Sequence, residues 1–264
     1  MVIDKEKRLS HLKDPEERFA MTRILDLAEK VLVNHEIGLT DFYDPHLLGL
    51  AKDILRGFPR LRFEFSGGYE EAERKRILLC QDYYQPGFAD FNLGCVKIES
   101  SRDFERLNHR DFLGAILGLG LRREKIGDII VADDAAFCIT TSELAEYIDR
   151  NLSQVGQVAV RTSLLPNLEN NLSNWVKYKE VRTTVASLRL DSVSSHGFNV
   201  SRSQAGQDIK GGKVKLNWKE TNNPGKEIRE GDVISYRGYG RIIVHKIVGN
   251  TKKGRIALLL HKLQ

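Results

Sequence analysis

Leu188-Arg189-Leu190-Asp191-Ser192-Val193-Ser194-Ser195-His196-Gly197-Phe198-Asn199-Val200-Ser201-Arg202-Ser203-Gln204-Ala205-Gly206-Gln207-Asp208-Ile209-Lys210-Gly211-Gly212-Lys213-Val214-Lys215-Leu216-Asn217 is the most informative stretch of the 264-residue chain. Its punctuation predicts two short helices and a strand. Leu190 and Val193 share a face of the first helix, which Gly197 ends. Ser201 caps the second, Ala205 and Ile209 give it a buried stripe, and Gly211-Gly212 breaks it. Lys213, Lys215 and Asn217 then alternate with Val214 and Leu216, so one strand face is expected to be basic and the other buried. Ser201-Arg202 also puts a guanidinium in the first turn of a helix, where free N–H groups and the positive dipole end favour a phosphate. The arginine adds a bidentate contact.

The charge around this stretch points the same way. Residues 181–264 carry 16 Lys+Arg against 6 Asp+Glu, net +10, while residues 1–180 carry 25 against 30, net −5. Such an excess attracts polyanions, because each phosphate neutralised releases condensed counterions. Nucleic acid is the first partner to consider. Arg237-Gly238-Tyr239-Gly240-Arg241 offers two guanidiniums and a ring on a backbone that can approach closely, and it reads equally well as a hairpin turn. Trp218 has two readings as well, a base-stacking ring or a cover for the strand edge.

Upstream, Asp14-Pro15-Glu16-Glu17 starts an amphipathic helix expected to reach about residue 33, and Asp44-Pro45 starts another that Gly57 and Pro59 stop. Leu61–Phe65 alternates like a half-buried strand, with Ile77–Cys80 as its partner beyond Gly67-Gly68. From about residue 93 the order becomes β-α-β-β-α-β: Gly94–Glu99, a helix bearing Phe112 and Ile116, Ile129–Val131, Ala136–Ile139, a helix capped by Ser142, and Gln157–Arg161. That is the split βαβ, or ferredoxin-like, arrangement. Its terminal strands offer Cys95, Lys97, Val158 and Val160 where an RNA-binding sheet would present stacking rings, which favours a packing module. The chain is therefore expected to be α+β: an N-terminal α+β domain over 1–88, a ferredoxin-like (RRM-like) domain over 89–165, a connector over 166–180, and an RNA-binding domain over 181–264.

Several function classes lack their residues. The longest apolar run, Phe112–Leu121, is ten residues with three glycines, far short of the roughly 20 that cross a bilayer, so no membrane insertion is expected. The charged start Met1–Arg8 is no secretory signal, and the cytoplasm is the expected location. Cys80, Cys95 and Cys138 are odd in number, widely spaced and set among apolar residues, which suits core positions. His109 and Asp111 are two apart and diverge on a helix; Gly118-x-Gly120 lacks a third glycine and a preceding strand. Arg122-Arg123-Glu124-Lys125 reads as a solvated face or as a second RNA contact. No Ser/His/Asp set, HExxH, GxSxG or Walker loop occurs, so no catalytic residue, metal ligand or cofactor is predicted.

The stretch 189–236, with Arg-Leu-Asp, Gly-Phe, Ser-Arg, Gly-Gly-Lys-Val-Lys-Leu-Asn and Glu230-Gly231-Asp232-Val233-Ile234, resembles the S4 (alpha-L) RNA-binding domain. The resemblance implies an RNA face of Arg189, Ser201, Arg202, Ser203, Lys213, Lys215 and Asn217, with Gly206 a weak helix former where a better one is usual. Lys219, Arg237, Tyr239 and Arg241 complete the candidate RNA-binding set. Asn108–Ala115, Gly118–Asp128, Asn217-Trp218-Lys219 and Arg237–Arg241 together resemble the bacterial YlmH family over nearly the full length. That resemblance implies a non-enzymatic protein, encoded among cell-division genes, that binds rRNA of the large ribosomal subunit. It also implies rescue of stalled subunits carrying peptidyl-tRNA, with a possible protein partner on the N-terminal domains. The alternatives are an RNA-modifying enzyme, pseudouridine synthase-like, and a cell-division adaptor. The first meets an obstacle: the one Arg-Leu-Asp, Arg189 to Asp191, already belongs to the binding module, and residues 1–180 lack a methyltransferase's glycine-rich loop.

Overall fold

The computed structural model describes residues 4–100, 102–166, 168, 178–252 and 254–263. The chain divides into two compact units, Met1–Val176 and Lys177–Gln264. Most of the predicted connector, 167 and 169–177, lies outside the described residues.

The first unit opens with α1 (Lys5–Leu9), α2 (Pro15–Asn34), β1 (Gly38–Leu39), α3 (Pro45–Leu55), β2 (Leu61–Ser66) and β3 (Arg76–Gln81). Asp14 and Asp44 cap α2 and α3 by accepting from Glu16 N and Leu47 N, and a proline begins each helix, as the sequence predicts. The antiparallel sheet runs β1-β3-β2, and Met21, Ile24, Leu25, Leu55 and Ile77 fill the space beneath the helices.

The same unit continues with β4 (Leu93–Glu99), α4 (His109–Gly118), β5 (Ile129–Val131), β6 (Ala135–Thr141), α5 (Ser142–Asn151), β7 (Gln154–Val155), β8 (Val158–Ala159) and β9 (Arg161–Leu164). The main sheet runs β5-β6-β4-β9, all antiparallel, and α4 and α5 lay Phe112, Ile116 and Ile148 on Val96 and Cys138. This is the predicted ferredoxin-like architecture, with one correction. The last strand is not 157–161, because Gly156 at φ 57° turns that stretch into the β7–β8 hairpin. The true edge strand, Arg161–Leu164, is mostly exposed and has no apolar alternation to announce it.

The sheet's other face is not open. Cys95, Phe137 and Ile139 pack there against Phe42 and Leu168, so the surface on which an RRM would stack bases is covered. The loop 122–128 makes the join. Phe42 N donates to Glu124 O at 2.8 Å, and Lys125 Nζ reaches Asp41 at 2.6 Å. Arg123 Nη1 and Arg74 Nε both donate to Ile126 O, at 2.6 and 3.0 Å. Asp128 accepts from Tyr69 Oη, Glu73 N and Arg74 N at 2.9, 2.7 and 3.1 Å. Of the charged run read as a solvated face or a second RNA contact, Arg123 and Lys125 are therefore bonded into the protein. The predicted 1–88 and 89–165 segments share a core within one unit. The three cysteines are buried and unpaired, and burial pushes the Cys138 thiol up to about 12 and Cys95 higher still, which suppresses thiolate chemistry.

The second unit comprises β10 (Tyr178–Val185), α6 (Leu190–Gly197), α7 (Arg202–Lys210), β11 (Val214–Leu216), β12 (Lys219–Glu220), β13 (Val233–Tyr236), β14 (Gly240–Asn250) and β15 (Ile256–Leu263). β10 starts at Tyr178, ahead of the boundary expected at 181. The six strands form one antiparallel sheet, β10-β15-β14-β13-β11-β12. Leu190 and Val193 of α6 and Ile209 of α7 bury against Ile234, Ile242 and Leu260, so both helices lie on one sheet face. α7 runs unbroken through Gly206, around which a Cβ would meet nothing within 4 Å. Among the described residues, no helix is long and apolar enough to cross a membrane.

Candidate nucleic-acid interface

Asp191 organises the first cluster. It sits in the first turn of α6 at 8% exposure and accepts from Arg189 Nε and Nη2 at 3.3 and 3.2 Å and from Arg202 Nη2 at 3.2 and 3.3 Å. Burial alone would raise its pKa, but the two guanidiniums outweigh burial and hold the carboxyl below the usual range. Both arginine side chains remain half exposed, at 47% and 51%. Two cations on one buried anion leave a net +1 at the surface, with both forks held in place. Gly225 makes room for this: a Cβ there would lie 2.9 Å from Arg189 Nη1. Ser201, the N-cap of α7, accepts from Gln204 N at 3.1 Å, and Ser203 beside it is exposed.

A second cluster lies toward the other end of α7, with Asp208 about 9 Å along the axis from Arg202 by helical rise. Asp208, 6% exposed, accepts from Lys213 Nζ at 2.8 Å, Gln204 Nε2 at 2.7 Å and Tyr236 Oη at 2.7 Å. Those bonds, Lys213 foremost, lower its pKa to about 2. Tyr236 packs at 4.6 Å from the ring of Tyr239, which is 43% exposed on the loop between β13 and β14. A folded value below the ordinary 3.8 means that ionised Asp208 stabilises the fold above that value and loses the contribution as pH falls toward 2. Replacing Asp208 with Asn should therefore flatten the decline of the urea midpoint between about pH 4 and pH 2. An unchanged acid limb would place the lost protons elsewhere.

The strand face departs from expectation. Gly212 at φ 70° turns the chain so that Lys213 precedes β11 and reaches back to α7. Lys215 points away from the helices, opposite Val214 and Leu216, in one row with Ser235 and Arg241, and its Nζ is 4.0 Å from Glu220. Arg241 donates to Ser235 Oγ at 3.0 Å and lies 5.8 Å from the Trp218 ring centroid. Asn217 is exposed but tied to the protein, donating to Asp232 Oδ1 and accepting from Val233 N, both at 2.8 Å. Lys219 and Arg237 are exposed. The candidate set thus divides. Arg189, Ser201, Arg202, Ser203, Lys213 and Tyr239 gather around the helices, whereas Lys215 and Arg241 share the opposite sheet face.

Asp191, Asp208 and Tyr236 brace these cations; Asp191 stands in the Arg-Leu-Asp of the sequence pattern, whereas Asp208 and Tyr236 are not singled out by it. A signal is nevertheless present: isolated acids, and a tyrosine, inside a strongly basic third of the chain. Asn217 and Trp218 form the two-residue turn between β11 and β12 with φ 51° and 64°. That is a type I′ turn, whose second position favours glycine, and a bulky residue held left-handed there costs about 1–2 kcal/mol.

Family models match three stretches of the chain: "YlmH, N-terminal" at residues 16–84, "Putative RNA-binding domain in YlmH" at 86–169, and "S4 domain" at 188–234. The Bacillus subtilis (strain 168) protein named "Ribosome-associated protein quality control protein P2" is 35% identical over 241 residues, covering 91% of this chain and 93% of that protein. The solved structure titled "Cell division protein ylmH from Streptococcus pneumoniae" aligns at TM-score 0.51 and 29% identity, over 58% of this chain and 93% of the other. On this likeness over most of both chains, with the S4 domain matched inside the second unit, the chain belongs to the YlmH family.

Proposed function

We propose that this protein binds structured rRNA of the large ribosomal subunit through its S4 domain and acts by occupancy, without catalysis, on stalled subunits that still hold peptidyl-tRNA. The observation that carries the reading is the pair of half-exposed arginines locked on buried Asp191 at the start of α7, with a third braced cation, Lys213, at the other end of that helix. Rigid forks suit phosphates at fixed spacing, as on folded RNA. The relative's name, ribosome-associated quality control, supplies the ribosomal context. A ribosomal role accords with work in the cytoplasm.

Asp191 speaks against the pseudouridine synthase alternative. A catalytic aspartate must reach substrate, and this one is buried beneath two guanidiniums. Purified protein should accordingly leave RNA chemically unaltered, and a modified nucleotide found by mass spectrometry would overturn the non-enzymatic reading. The cell-division title of the pneumococcal structure supports a second role, in which the acidic first unit contacts a protein partner.

Crosslinking of the full-length protein in cells, with sequencing of the attached RNA, tests the main reading. Large-subunit rRNA, together with tRNA, is the expected catch. Recovery of mRNA alone, or of no RNA, would refute it.

A further inference from the structure

Trp218 stands at the one position of its hairpin where glycine would be the relaxed choice, with φ 64°. A segment that breaks a local rule is a place to look for function. The ring is not in the core. It is half-buried at the tip of the β11–β12 hairpin, with the Arg241 guanidinium 5.8 Å from its centroid. Arg241 is itself anchored on Ser235 Oγ, and Lys215 is the next residue along the same row. Lys219 follows directly in sequence and is exposed. Glu220 lies 4.0 Å from Lys215. An aromatic face with cations arranged around it is the chemistry that single-stranded nucleic acid binds, the ring taking a base and the cations its phosphates.

We propose that Trp218, supported by Arg241 and Lys215, is a stacking site for an unpaired nucleobase of RNA, on the sheet face opposite the α6–α7 cations. The site rests on the RNA-binding reading and extends it. It gives the second unit two functional faces, one gripping phosphates and one taking a base from a loop or bulge, so that a stem joined to an unpaired loop is preferred over plain duplex. The left-handed backbone fixes where the half-buried indole sits at the hairpin tip.

Replacing Trp175 with Phe leaves Trp218 as the single tryptophan of the full-length protein. A stem–loop RNA should quench its fluorescence, and a blunt duplex of equal length should not. Trp218→Gly should weaken stem–loop binding about tenfold and leave duplex binding within about twofold, while Trp218→Phe keeps most of the affinity. The thermal midpoint of Trp218→Phe serves as the folding control. Equal losses on both RNAs, or absence of quenching with unchanged affinity in Trp218→Gly, would sink the stacking site while leaving RNA binding intact. Failure of the wild-type protein to bind either RNA would instead refute the reading beneath it.

Discussion

Removing both Arg189 and Arg202 should weaken binding to structured RNA by about 3 kcal/mol, roughly 150-fold, at moderate salt, since hydrogen bonds to charged groups contribute about 1.5–3 kcal/mol each. The slope of log K against log salt should fall by about 0.9 for each phosphate no longer neutralised, close to 2 for the pair. The double alanine variant does more than delete two cations. Asp191 is 8% exposed, and without its partners it becomes an uncompensated carboxylate facing the phosphates, so the cluster moves from net +1 to −1. Adding Asp191→Asn separates the two effects. The triple variant should recover part of the affinity, because repulsion is relieved, but none of the salt slope. Filter binding over a salt series reads both. A double variant with wild-type slope would mean that these guanidiniums never meet phosphate.

The outline of this protein was legible because its helices announce themselves. Asp-Pro starts, apolar periodicity and glycine stops located α2 and α3, and the Gly-Phe and Ser-Arg punctuation located α6 and α7. What escaped had no local signature. Period-two counting put Lys213, Lys215 and Asn217 on one face, but that count holds only inside a strand. Gly212 lies outside β11 and sends Lys213 to Asp208, and the turn at Asn217 sends that side chain to Asp232. The edge strand Arg161–Leu164 is too polar to alternate. Arg122-Arg123-Glu124-Lys125 reads as a solvated face or a second RNA contact because the partners of Glu124 and Lys125, Phe42 and Asp41, lie in a distant part of the chain, 84 residues earlier for Lys125. Charge and composition do find a basic unit. Which cations are braced, and by which acid, is a property of tertiary structure.

Asp128 is where loss of one side chain should do most damage to the first unit. Its carboxylate is the acceptor for three donors from a single loop, Tyr69 Oη, Glu73 N and Arg74 N, and so ties residues 69–74 to the start of β5. Asp128→Ala would leave two backbone N–H groups and a phenol without that acceptor, at about 1–3 kcal/mol for each that stays dry. We expect a net loss of about 3 kcal/mol in urea unfolding, with entering water offsetting the rest. Asp128→Asn, which keeps one acceptor oxygen but aims an amide N–H at a donor, should fall between wild type and alanine. A second readout distinguishes loosening of this join from general weakening. Cys95 lies in the layer beneath Phe42, whereas Cys138 faces the α4–α5 core on the other side of the same sheet. If Asp128 holds the N-terminal elements down, native-state labelling by a thiol reagent should accelerate first at Cys95 in the alanine variant. Cys138 should remain protected until global unfolding. Equal acceleration at both thiols would mean that the whole unit opens at once, and wild-type stability in Asp128→Ala would mean that the three donors find other acceptors without the carboxylate.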